Sequence, residues 1–361
     1  MRRGVLLGAV LALAACGSSS PAAPPDAAVP ADAAAPPYTI TALDGVRITS
    51  LGGEPNFQQA SAPVDLAGAP FASVTLVLDL ATTCYPFETW HDNPPPARQD
   101  WPADCDAFDR NFEVALAGAA GAPAIELVRA ITPFGGPLHL EVDVTDVANG
   151  LPGPHDLTVT IPTWSDAAGQ VTGSAGGWNV TAKLVVTPGP APRRVLAAAS
   201  LYYDSLTAAT LPAPLAFTAP VGATAARLEL RATGHGGGAA GADCIGPAEE
   251  FCHRTITVRL DGEPLPALDP WREDCDTLCT IAHYGPVDAG FDYCQENPCG
   301  ALRSVTAPRA NWCPGSMTPP FSFDLPALAT PGPHTLDWEI GAAVIDGGSW
   351  RISATVLAFG D

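Results

Sequence analysis

The chain reads as an all-β protein built from two antiparallel sandwich domains. Three observations carry this reading. Short segments with period-two alternation recur along the sequence, glycine and proline turn signals separate them, and no stretch sustains a helical period with caps. Short strands with frequent turns are the pattern of antiparallel sandwiches.

The N-terminus is an export signal. Arg2 and Arg3 precede an apolar run, Val5–Leu13, that is too short to span a bilayer. Leu13-Ala14-Ala15-Cys16-Gly17 resembles a bacterial lipoprotein cleavage box, which makes residues 1–16 a signal peptide and Cys16 the lipidated first residue. Each buried acyl CH₂ contributes about 0.8 kcal/mol, so several chains would hold the protein on a lipid bilayer. Gly17 beside the cysteine points, by analogy, to the outer membrane or cell surface. Residues 17–37 are mostly Ser, Pro, Ala and Asp, a solvated tether with almost nothing to bury.

The strands follow. Val74–Leu80 is mostly apolar, and 138–144, 157–161, 182–186, 227–230, 255–260 and 350–359 alternate. Turn signals stand at Gly135-Gly136-Pro137, Asp261-Gly262 and Asp346-Gly347-Gly348. Pro188, Pro190 and Pro192 cannot donate to a sheet ladder, so this stretch reads as a linker between domains at 38–188 and 194–361. Two stretches read as loop insertions. Residues 85–104 carry Tyr85, Phe87, Trp90 and Trp101, and residues 270–304 carry four cysteines.

Charge and cysteine usage narrow the function. The formal charge is -21, and -23 once Arg2 and Arg3 are removed, with Lys183 the only lysine. Phosphate backbones repel such a chain, so nucleic acid is not an expected partner. Nine cysteines follow Cys16: Cys84, Cys105, Cys244, Cys252, Cys275, Cys279, Cys294, Cys299 and Cys313. Outside the cytoplasm they are disulfide candidates, and an odd count leaves one free or bonded to another molecule. The 275/279 and 294/299 gaps fit zinc spacing poorly.

There is no G-x-S-x-G, H-E-x-x-H, phosphate-binding loop or dinucleotide fingerprint. Carboxylate chemistry remains, since two carboxyls in different environments can activate water and protonate a leaving group. Two acidic segments lie beside cysteines: Cys105-Asp106-Ala107-Phe108-Asp109-Arg110 and Glu249-Glu250-Phe251-Cys252-His253-Arg254. Arg110 is expected to keep Asp109 ionised, provided its guanidinium lies close. Glu249 and Phe251 are expected to raise the pKa of Glu250.

These segments resemble peptide-N-glycosidase F, the bacterial amidase family that removes N-linked glycans from asparagine. Ordered blocks carry the resemblance: Cys105–Arg110, Ile131–Phe134, Leu140–Asp146, Thr163-Trp164, Gly234-His235, Cys244, Glu250–Thr255 and, most specific, Pro308–Gly315. It implies two eight-stranded antiparallel jelly rolls side by side, with the active site in the cleft between them. It implies Asp109 and Glu250 as the catalytic carboxyls and Arg110, His235, Arg309, Trp312, Trp164, Phe108 and Phe251 as substrate-binding residues. The implied reaction hydrolyses the amide joining asparagine to N-acetylglucosamine, without metal or organic cofactor. The implied partner is an N-glycosylated protein or glycopeptide, met by a monomer.

The chain departs from the family pattern at three points. Pro162 stands where the family has a second glutamate, Thr233 where it has a cleft tryptophan, and Asn111 where it has a tyrosine. A non-catalytic glycan or protein binder is therefore a second reading. A copper monooxygenase sharing paired jelly rolls is a remote third, because the chain has no His-x-His and Met317 is its only mature methionine.

Overall fold

The computed structural model describes residues 35–82, 84, 105–118, 121–163, 176–238, 241 and 243–361, apart from the side chains of 327 and 329. Residues 35–361 cluster as one compact unit. Cys16, most of the tether, Tyr85, Phe87, Trp90, Trp101 and Trp164 lie outside the described residues.

Eight strands build the first sandwich: β1 (Tyr38–Thr49), β2 (Gln59–Asp65), β3 (Phe71–Ala81), β4 (Asn111–Leu116), β5 (Ile125–Ile131), β6 (Leu138–Asp143), β7 (Pro154–Thr160) and β8 (Gly177–Pro188). One sheet has the order β1-β8-β3-β6 and the other β2-β7-β4-β5. The second sandwich uses β9 (Arg194–Leu206), β10 (Leu215–Ala219), β11 (Ala225–Gly236), β12 (Ile256–Leu260), β13 (Glu263–Pro264), β16 (Phe321–Asp324), β17 (Gly332–Ile340) and β18 (Gly348–Gly360). Its sheets run β9-β18-β11-β16 and β10-β17-β12-β13. Counted from its own first strand, each sandwich has the same order, first-eighth-third-sixth over second-seventh-fourth-fifth. Both are jelly rolls. The order repeats although no repeat is visible in the sequence. A sandwich constrains alternation and turn placement, and many side-chain sets satisfy that.

Every expected strand is present, most of them longer than the alternation marked. β3 has the burial pattern of its apolar run, with Val74, Leu76, Leu78 and Leu80 buried on one face. Asp261 and Gly262 both take positive φ between β12 and β13, the two-residue turn that matches strand twist. β8 runs further than the proline argument allows and reaches Pro188, paired opposite Phe71 at the end of the ladder, where a missing N–H costs little. Two short helices also occur, α1 (Thr145–Gly150) and α2 (Leu302–Val305). β14 (Ile281–Tyr284) and β15 (Phe291–Cys294) form a separate hairpin within the 270–304 insertion.

Leu357 and Phe359 of β18 join the hydrophobic core of the first sandwich, which fixes the two jelly rolls side by side. A buried polar network lies across the same contact. Arg129 on β5 binds Glu126 through both Nε and Nη2 at 2.8 Å and donates to Thr233 Oγ1 and the Arg351 carbonyl. Arg231 donates to the Glu126 and Leu127 carbonyls, and Arg351 binds Glu113. Unpaired charges would be costly here, and each of these has a partner from the other sandwich.

Candidate active site

Disulfides anchor three segments near the domain contact. Cys84, just beyond β3, bridges Cys105 and fixes the start of the loop that carries Asp109. Cys244–Cys252 encloses the single 3-10 turn Glu249–Phe251. Cys275–Cys313 pins the segment containing Arg309 and Trp312. Cys279, Cys294 and Cys299 are unbridged in the structure, and the odd count of nine leaves at least one of them without an intramolecular partner. Cys279 and Cys294 lie thiol to thiol, while Cys299 packs against the Cys84–Cys105 bridge, so none of the three reaches a further sulfur outside its own cluster.

In the first loop, Asp106 is fully buried and takes both bonds of the Arg110 guanidinium, at 3.1 and 3.2 Å. Thr132 closes the loop. Its hydroxyl accepts from Arg110 N and donates to Phe108 O, and its own N–H donates to Arg110 O. The Ile131–Phe134 block therefore acts as a clamp on the Asp109 loop. Arg110 stacks on Phe108 at 4.8 Å and is almost wholly buried.

In the second segment, Glu249 is the structural acid. It is fully buried and accepts from Arg254 Nε, Trp350 Nε1 and Ile345 N, each at about 3 Å. Its neighbour Glu250 is thereby turned the other way and keeps about a quarter of its side chain exposed. Gly234 makes the packing possible, because a Cβ there would lie 2.9 Å from Ala310 Cβ and 3.0 Å from Glu249 O. Ala310 N donates to Glu250 O at 2.7 Å, joining the turn to the Arg309 segment. Asn311 takes a left-handed φ of 66° and donates to Ala232 O, a conformation that Asn tolerates well.

Arg309 brings the two acidic loops together. Its Nη1 donates to Glu250 Oε1 at 2.7 Å, and its Nη2 lies 3.8 Å from Asp109 Oδ2. Nη2 also donates to the Ser304 carbonyl and hydroxyl. The guanidinium is fully buried between the rings of Trp312, at 4.3 Å, and Phe251, at 4.7 Å. Trp312 is 2% exposed and donates its Nε1 to Gly234 O, so it seats Arg309 rather than facing outward. His235 stacks on Trp312 at 5.4 Å and bonds Thr233 Oγ1.

The titration behaviour follows from burial. Burial raises the Asp109 pKa to about 7, opposed by Arg309 and assisted by Glu250. The expectation that Arg110 holds Asp109 ionised is thus corrected, since that guanidinium is already paired with Asp106. Glu250 is also raised, through burial, and Arg309 works against the shift. Glu249 has no part in it because its charge is matched by Arg254. Burial and nearby arginines pull His235 down to about 3, so its ring is neutral at working pH.

The structure therefore gathers Asp109, Glu250, Arg309 and Phe251 at one place, with Trp312 and His235 behind Arg309 and Phe108 on the Asp109 loop. Sequence reasoning missed Ser304, Glu249 as an anchor, and the clamp of Thr132. The signal for Glu249 was available in principle, as an acid five residues from an arginine inside a disulfide loop. Among the described residues Cys279, Cys294 and Glu296 cluster with metal-ligand geometry, whereas in the Cys84/Cys105/Cys299 cluster two sulfurs are joined in a disulfide, and neither set includes Asp109 or Glu250.

Residues 202–357 match the family described as "Peptide-N-glycosidase F, C terminal". Among solved structures, PNGase F, a glycosylasparaginase from Flavobacterium meningosepticum, matches with a TM-score of 0.65 at 19% identity, covering 90% of this chain and 96% of that one. Residues 202–357 are thus similar to the C-terminal part of the peptide-N-glycosidase F family, and the chain as a whole shares that protein's fold. PNGF-II matches with a TM-score of 0.65 at 18% identity, covering 90% of this chain but 65% of its own length. The peptide-N(4)-(N-acetyl-β-D-glucosaminyl) asparagine amidase gives 0.64 and 18% over 90% and 96%. Comparison with curated proteins returns no match.

Against that family's pattern, the three departures have distinct surroundings. Pro162 is exposed and carries no acid, and Thr233 is fully buried in the Arg129–His235 network. Asn111 opens β4 opposite Ile131.

Proposed function

We propose that this chain is an exported, lipid-anchored glycoamidase that hydrolyses the asparagine–N-acetylglucosamine amide of N-glycoproteins or glycopeptides. The observation that carries the proposal is the single guanidinium of Arg309 between Asp109 and Glu250. Amide hydrolysis needs a base for water and an acid for the departing nitrogen. Asp109, with a pKa near 7, suits both halves of that cycle at neutral pH. Ionised, it takes a proton from water attacking the amide carbon. Protonated, it returns the proton to the nitrogen, which leaves as the glycosylamine, and the peptide keeps an aspartate. Arg309 offers positive charge to the oxygen that becomes negative in the tetrahedral intermediate. Glu250, bonded to Arg309, orients sugar hydroxyls. Arg110 does not reach for substrate in this scheme; with Asp106 it braces the loop.

The test is incubation of the purified chain with a denatured N-glycoprotein, followed by mass spectrometry of the peptide. Released glycan with asparagine converted to aspartate is expected, and Asp109→Asn is expected to abolish it. No release from a broad glycopeptide panel would sink the proposal.

Two observations favour a second reading, a glycan- or protein-binding relative with little turnover. The third acid is replaced by Pro162, and Thr233 offers no stacking surface. Glycan binding without conversion of asparagine would support that reading, and measurable turnover would end it.

A further inference from the structure

β14 and β15 pair only with each other among the described residues. Ile281 and Phe291 on this hairpin are more than half exposed. Two strands alone make a marginal hairpin in water, so a cross-link at its open end would add to its stability. Cys294 stands opposite Ile281, and at the open end Gln295 N donates to Thr280 O at 2.9 Å, so Cys279 lies diagonally from Cys294 at the mouth. Their thiols hydrogen-bond to each other. Together with the Glu296 carboxylate, the sulfurs fall within 4.8 Å of one another.

We propose that Cys279 and Cys294 form a fourth disulfide in the exported protein, leaving Cys299 as its single thiol. Each thiol loses a proton, and the pair gives up two electrons as the S–S bond forms. The acceptor is a disulfide, either of a small thiol or of an exported thiol–disulfide oxidoreductase, and it is reduced to two thiols. Three bridges already present in the same chain place it in a compartment where this oxidation proceeds.

Two alternatives are weaker. Cys299 belongs to the other sulfur cluster, against Cys84 and Cys105, rather than to the Cys279 cluster. Burial pushes its thiol up to about 12, so little thiolate is present to attack the neighbouring bridge. A structural zinc takes four ligands. Cys279, Cys294 and Glu296 supply three, and the adjacent Asn297 turns its Nδ2 towards Cys294 Sγ while its Oδ1 accepts from Phe134 N.

The cross-link has a mechanical consequence. The segment after Cys294 docks on the first sandwich: Cys299 N donates to Phe134 O at 2.9 Å, and a Cβ on Gly136 would lie 2.2 Å from Glu296 O. Phe134 is two residues from Thr132, the clamp of the Asp109 loop. The fourth bridge thus fixes a strut behind that loop.

The experiment is disulfide mapping of the full exported chain, alkylated with iodoacetamide in denaturant without reductant and digested for mass spectrometry. A linked Cys279–Cys294 peptide with carbamidomethyl only at Cys299 is expected. Alkylation of both Cys279 and Cys294, a Cys294–Cys299 link, or stoichiometric zinc whose removal frees both thiols would each overturn the proposal. Limited proteolysis gives a second readout. The Cys279→Ser/Cys294→Ser variant is expected to be cut within residues 281–293 at least tenfold faster than the parent. Equal rates would refute the constraint on the hairpin.

Discussion

Charge changes on either side of Arg309 are expected to move the Asp109 titration in opposite directions. Asp109 Oδ2 lies 3.8 Å from Arg309 Nη2, and its side chain is 20% exposed. A unit-charge pair at that distance interacts by about 1 kcal/mol at the dielectric of water and about 4 kcal/mol at an effective value near 20. One pKa unit corresponds to about 1.4 kcal/mol, so losing Arg309 shifts Asp109 by about one to three units. Arg309→Gln should therefore carry the carboxyl from about 7 into the range of about 8 to 10. Glu250→Gln removes a like charge and should lower the same pKa by on the order of one unit or less, because Glu250 acts across the guanidinium. Arg309→Lys keeps the charge and should leave the titration near 7. The first assay is kcat/KM against pH on a glycopeptide, where activity should rise with the ionised base through about pH 7 in the parent. The second is a carbon-13 NMR titration of the Asp109 carboxyl, which does not require turnover. Shifts of the same sign in Arg309→Gln and Glu250→Gln would refute the reasoning, as would a parent carboxyl titrating near 4.

Four further outcomes follow from buried groups. The Asp109 pKa is raised in the folded chain, so the native state holds the proton more tightly and stability falls as pH rises from about 4 to about 7. Asp109→Asn should remove that loss and be more stable than the parent at pH 8 by about 2–4 kcal/mol, with no gain at pH 4, in thermal melts at both values. Glu249→Gln leaves Arg254 buried without its carboxylate and should cost about 3 kcal/mol by urea unfolding, whereas Glu250→Gln should cost much less. Arg129→Met strands Glu126 at the domain contact and should cost about 3–5 kcal/mol, with calorimetry showing whether the two jelly rolls then unfold separately. Trp312→Ala empties a buried site beneath Arg309 and should cost about 3–5 kcal/mol, with a large loss of kcat.

Much of the fold was legible because alternation survives in the strands that carry the core. β3, β8, β11 and β18 contain the expected runs, β6, β7 and β12 match theirs to within one residue, and the Asp261-Gly262 turn follows from residue chemistry alone. β4 and β5 are buried nearly throughout, including Glu113, Glu126 and Arg129, so their pattern is neither alternating nor uniformly apolar. Glu126 and Arg129 pair with each other three residues apart, but Glu113 and the remaining bonds of that pair are satisfied from the second sandwich, and no local window contains that information. α1 and α2 escaped because each is too short to register a helical period.

The sequence by itself determined the chemical inventory: an all-β chain, cysteines fit for export, and two acidic segments beside cysteines. It also singled out Asp109, Glu250 and Arg309. Which acid of each segment meets Arg309 was decided by tertiary structure, because Asp106 and Glu249 are consumed by Arg110 and Arg254 while Asp109 and Glu250 are left to share Arg309. The same holds for Trp312, whose ring became a seat for a charge instead of a surface for sugar. Partner choice among charges depends on distance and burial across residues far apart in the chain, and those are set only when the two jelly rolls pack together.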